Sequence, residues 1–361
     1  MTRRDRSEKH RRTVTGDMGA ADKTGAADKT VPTARLATLS RRAVLALPAL
    51  LGATALASCS SDRTKDPATA AQAGNGGPDE LFAETASFEI VAGTPQRVMV
   101  GMSTRDGRVL HGGMVLFTFR PVVDPPFPLA DMTFLEASFL PVPRSTTPPS
   151  TATIGNASDG IGVYEALDVT FPTAGFWTIT VEVALAKKQL IETAIEVLAK
   201  PQVPFPGDPA PKTNNPTVPG GDVTLESIDS RSGPAGLADL ADPLLHGESI
   251  AAILRAGRPC AVIVSTPAFC VSKFCGPLTD IMNDLAVEAQ KAKSDVGFVH
   301  LEVWRSFEKN EVNRSAAEWI LRNGAEGREP WVFLVDRSGL VVARWDNLVA
   351  ESNLRSAIAS L

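Results

Sequence analysis

The stretch that most constrains the fold runs from Cys260 to Leu285, where an apolar run is followed by two cysteines, a Gly-Pro pair and a helical pattern. Residues 261–264 are continuously apolar, as in a strand buried on both faces of a sheet, and such sheets need helical crossovers. Pro277 suits the first turn of a helix because its missing N–H would be unpaired there. The stretch therefore predicts a strand, a cysteine loop and a helix.

The elements around this stretch alternate between strands and helices. Asn313 is the predicted N-cap of the third helix, and Asn323-Gly324 is its predicted stop. The predicted helices are 249–256, 277–291, 315–322 and 351–361, and the predicted strands are 260–264, 296–304, 331–335 and 340–345. This order predicts an α/β domain over residues 223–361.

The cysteine loop resembles the active site of the thioredoxin-like family, whose pattern is a strand, W-C-G-P-C and a helix. Counted back from the helix, residues 274–278 read F-C-G-P-L, with Leu278 at the place of the second cysteine. Counted from the strand, Thr266 and Pro267 lead up to Cys270 at the place of the first cysteine. A C-x4-C pair thus replaces C-x-x-C, and both registers remain open.

A second marker of the same family precedes the strand at 331–335. Glu329-Pro330 resembles the family's cis-proline, which faces the cysteines. Glu329 departs from the small or β-branched residue usual there; its carboxylate would raise the pKa of nearby thiols or accept a proton. The resemblance implies a thiol–disulfide oxidoreductase site with catalytic Cys270, Cys275 and Pro330, and supporting Thr266, Pro267, Gly276, Pro277 and Glu329.

The two loop cysteines are expected to form a reversible disulfide. Five residues of one continuous helix rise about 7.5 Å, beyond the roughly 7 Å that a disulfide tolerates between Cα atoms, so the loop between them must be non-helical. A helix starting after Cys275 places this thiol at the positive end of the helix dipole. Cys275 is then expected to be the attacking thiol and Cys270 the resolving thiol. The order of steps in peroxiredoxin-like proteins would reverse these two roles. In a permanent structural bridge, neither cysteine would react.

The N-terminal 59 residues are expected to be an export signal. A polar leader is followed by Arg41-Arg42 and an apolar run to Ala57, which resembles a twin-arginine signal peptide. Residues 56–59, L-A-S-C, resemble a bacterial lipobox, which implies that Cys59 is lipidated. The protein is then tethered by residues 60–80 to the extracytoplasmic face of the membrane. An uncleaved apolar segment with a chance cysteine is the alternative.

Residues 81–200 carry short β-rich runs separated by Gly, Pro and Asp, which predicts an antiparallel β-sandwich. The predicted strands are 88–91, 97–103, 114–121, 134–140, 164–171, 176–186 and 191–197. The stretch from Tyr164 to Trp177 resembles a hairpin of immunoglobulin-like modules. Pro-rich residues 201–222 predict an extended linker between two domains.

Composition bears on partners and cofactors. A formal net charge of −5 offers no basic face, so nucleic acid is not an expected partner. No cofactor is expected: methionine and histidine suit copper(I), but methionines commonly fill apolar cores. The residues weighed for copper are Met99, Met102, His111, Met114 and Met132. Cys260 is expected to be a buried apolar residue, His300 a core or supporting histidine, and His246 part of a polar turn.

Several functions compete with thiol–disulfide exchange on a protein partner. Residues 266–275 approach the Thr-Pro-x-Cys-x4-Cys of one peroxiredoxin subclass, with one extra residue and Val262 in place of a proline. A Sco-type copper protein needs C-x3-C and a distal histidine, but no histidine follows His300. A redox-silent thioredoxin-like binding module is the fourth hypothesis, because Leu278 replaces the usual second cysteine.

Overall fold

The computed structural model describes residues 77–123, 134–218, 224–233 and 236–361. The predicted signal peptide with Cys59, most of the predicted tether and Met132 lie outside the described residues. Within the described part of the chain, every helix falls short of the length and apolar character needed to cross a membrane.

Ten strands between residues 81 and 198 form one large sheet. They are β1 Leu81–Thr85, β2 Ile90–Val91, β3 Gln96–Thr104, β4 Val109–His111, β5 Met114–Pro121, β6 Leu135–Pro141, β7 Thr153–Gly155, β8 Gly162–Val169, β9 Gly175–Val183 and β10 Gln189–Leu198. The order is β2-β10-β9-β5-β6-β8-β3-β4-β7, and β1 pairs with β3. All neighbours are antiparallel except β2, which runs parallel to β10.

The large sheet is folded over on itself. Ile90 of β2 and Leu110 of β4 come from distant strands of the sheet, yet both belong to one apolar core. The predicted strands are present and antiparallel except β2, which covers only residues 90–91 and runs parallel to β10, and they form one continuous sheet and not the two separate sheets of a sandwich. The sequence did not predict β1, β4 and β7; the last two have only three residues each, too few for an alternating pattern.

The C-terminal part contains a four-stranded sheet, a two-stranded ribbon and four α-helices. The sheet strands are β11 Cys260–Ser265, β12 Gly297–Glu302, β15 Trp331–Val335 and β16 Val341–Asp346, and the ribbon is β13 Trp304–Ser306 with β14 Glu311–Val312. The helices are α1 Ile250–Arg255, α2 Cys275–Ala292, α3 Arg314–Ile320 and α4 Glu351–Ala359. The sheet order is β12-β11-β15-β16, with β11 parallel to β12 and antiparallel to β15.

The four-stranded sheet carries an apolar core on each face. Val262 and Val264 of β11 pack with residues of α1 and α3 on one face. Ala261 and Ile263 pack with residues of α2 and α4 on the other face. Because successive side chains of a strand point to opposite faces, the continuous apolar run of β11 serves both cores. The predicted strand buried on both faces is confirmed.

Asn313 precedes α3, as predicted, but its side chain does not cap the helix. Its amide group instead donates to the carbonyl oxygens of Ser227 and Glu302, at 2.9 and 2.8 Å. Asn313 therefore holds the segment before α1 against the end of β12.

The Pro-rich segment at 201–218 lies against the C-terminal part. Val203 and Ala210 are buried in the core on one face of the four-stranded sheet. The amides of Gly207 and Ala210 donate to the carbonyls of Val341 and Gly339, at 2.8 and 2.9 Å. The sequence predicted a linker with little to bury, and these contacts correct that expectation.

The large sheet and the C-terminal part contact each other through polar and apolar groups. Arg97 of β3 forms ion pairs with Glu165, at 2.9 Å, and with Asp346 at the end of β16, at 3.0 Å. Asn347 donates from its backbone to the carbonyl of Pro330, at 2.8 Å, and from its side chain to the carbonyl of Ala86, at 2.9 Å. Residue Asn347 thus joins the large sheet to the loop before β15.

Candidate functional site

Cys270 and Cys275 are joined by a disulfide, with their Cα atoms 6.0 Å apart. The loop between them is not helical, and Lys273 adopts a positive φ of 63°. The predicted non-helical loop is confirmed. Helix α2 begins at Cys275, two residues before Pro277. Pro277 fits inside the first turn because the N–H that it lacks would have no partner there. Cys275 therefore occupies the positive end of an 18-residue helix.

The two sulfur-bearing residues differ in exposure. Cys275 is fully buried, whereas Cys270 is half-buried and its sulfur lies 3.2 Å from the Ser272 hydroxyl. Val271, between them, is 94% exposed. An external group can therefore reach the disulfide only from the Cys270 side.

Apolar and aromatic groups surround that approach. The ring of Phe269 stacks on Phe307, with centroids 4.2 Å apart, and Phe307 is itself partly exposed. Together with Val271, these residues give the cysteine loop an apolar rim of the kind that contacts other polypeptides.

The backbone of Cys275 is fixed from inside the fold. The Thr279 hydroxyl donates to the Cys275 carbonyl, at 2.8 Å, and lies 2.8 Å from the Ser265 hydroxyl at the end of β11. Thr266 is buried, and the Pro267 carbonyl lies 3.8 Å from the position of a Cβ on Gly276. Of the supporting residues expected from the sequence, Thr266, Pro267 and Gly276 thus lie together at the base of the loop.

The Glu329–Pro330 peptide bond is cis, as predicted. Burial raises the pKa of the Glu329 carboxyl to about 7, and repulsion from Glu302 acts in the same direction. At neutral pH this carboxyl therefore exists in both protonation states, as a proton donor or acceptor requires.

A cavity of about 510 Å³ brings these features together. One wall comes from the large sheet and the other from the cysteine loop and the loop before β15. Lining residues include Ala86, Gly101, Val163, Val271, Ser272, Phe274, Glu329 and Asn347. The cis-proline segment and the cysteine loop therefore share one cavity, and the large sheet closes its other side.

Asp229, His246 and His300 form a second buried polar group, which the sequence did not predict. The His300 Nδ1 and His246 Nε2 atoms lie 3.3 and 3.6 Å from the same Asp229 oxygen, and neither makes a well-formed hydrogen bond. The sequence placed His246 in a turn and His300 in the middle of a strand, but it did not indicate that the two side chains meet.

The pKa values in this group depend on the charges of its neighbours and on burial. Burial favours a raised pKa for Asp229, but His246, His300 and Arg231 together hold it below its ordinary value. Burial lowers the pKa of His246. For His300 burial acts in the same direction, but Asp229 outweighs it and raises the pKa.

The described methionines weighed for copper have different surroundings. Met99 and Met102 are buried in apolar clusters, and Met114 is exposed. Cys260 is buried and unbonded, and burial raises its pKa to about 12.

No family model, curated protein or solved structure matches this chain.

Proposed function

We propose that the chain is a thiol–disulfide oxidoreductase with a thioredoxin-like C-terminal domain. The observation that carries the proposal is the disulfide at the start of α2, because Val271, Ser272 and Phe274 between its cysteines line the same cavity as Glu329 of the cis-proline segment. The order of β11, α2, β12, α3, β15, β16 and α4 supports the thioredoxin-like assignment. An immunoglobulin-like origin of the large sheet is proposed only from the stretch between Tyr164 and Trp177.

The exchange begins at Cys270, the exposed end of the bond. A thiolate of a client protein attacks the Cys270 sulfur, forms a mixed disulfide and releases Cys275 as a thiolate. The dipole of α2 stabilises that leaving thiolate, and a stabilised thiolate leaves faster. A second client thiolate then displaces Cys270, so that the client dithiol is oxidised to a disulfide and the Cys270/Cys275 pair is reduced.

This assignment reverses the roles expected from the sequence. Helix position alone favoured Cys275 as the attacking thiol, but an attacking thiol also needs access. Because Cys275 is fully buried, it suits the leaving and resolving role. The protons that the two thiols require at neutral pH come from the client, and we propose that Glu329, which lines the same cavity as Val271 and Ser272, exchanges one of them.

The first test is the reduction potential of the pair. A working couple is expected above about −300 mV, whereas a structural bridge lies below this value. The potential is measured by equilibration with glutathione buffers and alkylation of the freed thiols. A value well below that limit would show that the bond is structural.

The second test traps the client. In Cys275→Ser the accessible Cys270 thiol can attack a client disulfide, which is the reverse of the exchange above, and no Cys275 thiol is present to displace the client, so mixed disulfides are expected to accumulate. Cys270→Ser is the matched control, because its remaining thiol is buried and should trap few clients. The role assignment fails if Cys270→Ser traps more clients than Cys275→Ser, and the oxidoreductase proposal fails if neither variant traps any.

The same proposal places the protein on the extracytoplasmic side of a bacterial membrane, held by lipid on Cys59. It rests on the twin-arginine-like run and the L-A-S-C sequence at 56–59. Metabolic labelling with a fatty acid is expected to mark the wild type and not Cys59→Ala. Equal labelling of both would refute the anchor.

A further inference from the structure

We propose that Asp229, His246 and His300 bind a divalent transition metal ion of the Zn²⁺ class. The three residues offer one carboxylate oxygen and two imidazole nitrogens, all within 4.8 Å of one another. They come from three separate stretches: a turn before α1, the turn after residues 243–245, and the middle of β12. The proposal is independent of the exchange at the cysteine pair.

The spacing of the donor atoms suits a tetrahedral ion. Ligands at about 2.1 Å from a tetrahedral Zn²⁺ lie about 3.4 Å from each other. The distances from the Asp229 oxygen to the His300 and His246 nitrogens are 3.3 and 3.6 Å. These two distances match the separation expected between ligand atoms of one tetrahedral ion, without movement of the backbone.

The two ring nitrogens that face the carboxylate have no hydrogen-bond partner among the described residues. Both histidines are almost fully buried, and leaving a buried ring nitrogen unpaired is unfavourable. A metal ion bound between the rings would use both lone pairs at once. Two orphaned nitrogens that converge on one oxygen therefore point to a bound ligand.

The opposite nitrogen of His300 is already oriented. Its Nε2 lies 3.2 Å from the Ser265 carbonyl, which accepts only an N–H. In the neutral ring this contact keeps the proton on Nε2 and leaves the Nδ1 lone pair for a metal, which would displace any second proton that Asp229 holds on Nδ1. A backbone carbonyl behind the ring is the common arrangement for metal-binding histidines.

Arg231 does not neutralise the site by itself. Its guanidinium donates to Asp229, at 2.8 Å, but also to Asp280, at 2.7 Å, and to Asp242. Asp280 meets Arg144 as well, at 3.6 Å, on the surface. Arg231 also donates from Nε to the other Asp229 oxygen, at 3.1 Å, so a metal would share the Asp229 carboxylate with a guanidinium whose charge is divided among three carboxylates.

The site would brace the base of the cysteine loop. Ser230, next to Asp229, accepts from the amide of Ala268, at 3.0 Å, and its own amide donates to Glu302, at 2.9 Å. His300 contacts Ser265, where β11 ends and the loop begins. Three protein ligands leave the fourth position of a tetrahedral ion to water, and the burial of all three ligands shields that position from large substrates.

The test measures metal binding by the full chain, purified without a histidine tag and with its disulfide intact. After removal of metal with a chelator, titration calorimetry with Zn²⁺ is expected to give about one equivalent per chain. Bound Zn²⁺ should also raise the melting temperature, because a ligand of the folded state stabilises it. Co²⁺ should give visible absorption of nitrogen and oxygen ligation, without the sulfur charge-transfer band that the cysteines would produce.

His246→Gln is expected to weaken Zn²⁺ binding by more than about 100-fold, since loss of outer partners alone costs 10–100-fold. His111→Gln is the matched control: this histidine is also buried with an unpaired nitrogen, but it lies in the large sheet. Equal binding by His246→Gln and the wild type would overturn the proposal. If His246→Gln does not fold, the test depends on the wild type alone. Absence of both Zn²⁺ binding and a gain in melting temperature in the wild type would then overturn the proposal.

Discussion

At the scale of single residues, burial gives the three described cysteines different chemistry. Cys270 is half-buried, Cys275 is fully buried in a disulfide, and Cys260 is a fully buried free thiol. Burial disfavours a thiolate, whereas a helix N-terminus favours it. Two buried cysteines can therefore differ in reactivity because only one of them begins a helix.

Cys260 is expected to resist alkylation in the folded protein. Its pKa of about 12 leaves little thiolate at pH 8, so that labelling should be roughly three orders of magnitude slower than for a free thiol. Peptide mapping after treatment with N-ethylmaleimide measures this. Labelling should appear once guanidinium unfolds the chain. Equal rates in the folded and unfolded chains would contradict the burial of Cys260.

Glu329→Gln is expected to change the pH dependence of stability. The folded-state pKa of about 7 lies above the ordinary value of about 4.3, so the folded protein holds a proton that the unfolded chain releases. The wild type should therefore lose stability as pH rises from about 4 to 7, by about 1–2 kcal/mol once partial exposure is allowed for. The variant should lack this decrease.

Urea unfolding at several pH values tests the Glu329 prediction. Glu326→Gln is the matched control, because this exposed carboxylate pairs with Arg328 in the same loop. A wild type and a Glu329→Gln variant with the same pH profile would show that Glu329 is ionised normally in the fold.

At the scale of elements, the Pro-rich segment is held by side chains that pattern alone does not reveal. The Trp319 indole donates to the Thr213 hydroxyl, at 3.0 Å, and this hydroxyl donates to Glu318, at 2.7 Å. Trp319 is fully buried in α3. The segment therefore supplies the hydrogen-bond partner of a core indole.

Thr213→Val is expected to lower the free energy of unfolding by about 1–3 kcal/mol, because it leaves a buried N–H unpaired. It should also speed tryptic cleavage after Lys212, which is exposed beside the buried Thr213. Asn214→Ala, at an exposed neighbouring position, should change neither quantity. Rapid cleavage of the wild type after Lys212 would show that the segment is free.

Most elements were predictable because their signals are local. The apolar run of β11, the first-turn proline of α2 and the alternation of β5 each depend on a few neighbouring residues. The group of Asp229, His246 and His300 was not predictable, because nothing local links positions 71 residues apart at its extremes (229 to 300). The exposure of Cys270 likewise depends on the loop path and not on spacing.

At the scale of the whole molecule, contacts join the large sheet to the C-terminal part. Arg97 is only 12% exposed and contacts Glu165, Asp346 and the Leu348 carbonyl. The apolar cluster of Met99, Leu140, Val163, Phe274 and Leu348 contains residues of both parts. We therefore expect the two sheets to depend on each other for stability, although the sequence predicts separate folding units.

Arg97→Met is expected to destabilise both sheets, by about 3–5 kcal/mol, because it leaves two largely buried carboxylates unpaired. Hydrogen exchange followed by mass spectrometry measures the exchange of backbone amides in each sheet separately. Arg120→Met is the control: its pair with Glu192 is more exposed and should contribute less than about 1 kcal/mol. Faster exchange in only one sheet would show that the two parts unfold independently.

The wall that the large sheet adds to the cavity narrows the space beside Val271 and Ser272 of the cysteine loop. Asn347 and Arg97 tie that wall to the cysteine side, so the opening cannot widen without the loss of buried contacts. Under the proposed function, a flexible segment that carries two thiols would reach the cysteine loop more readily than a pair of thiols held inside a folded globular protein.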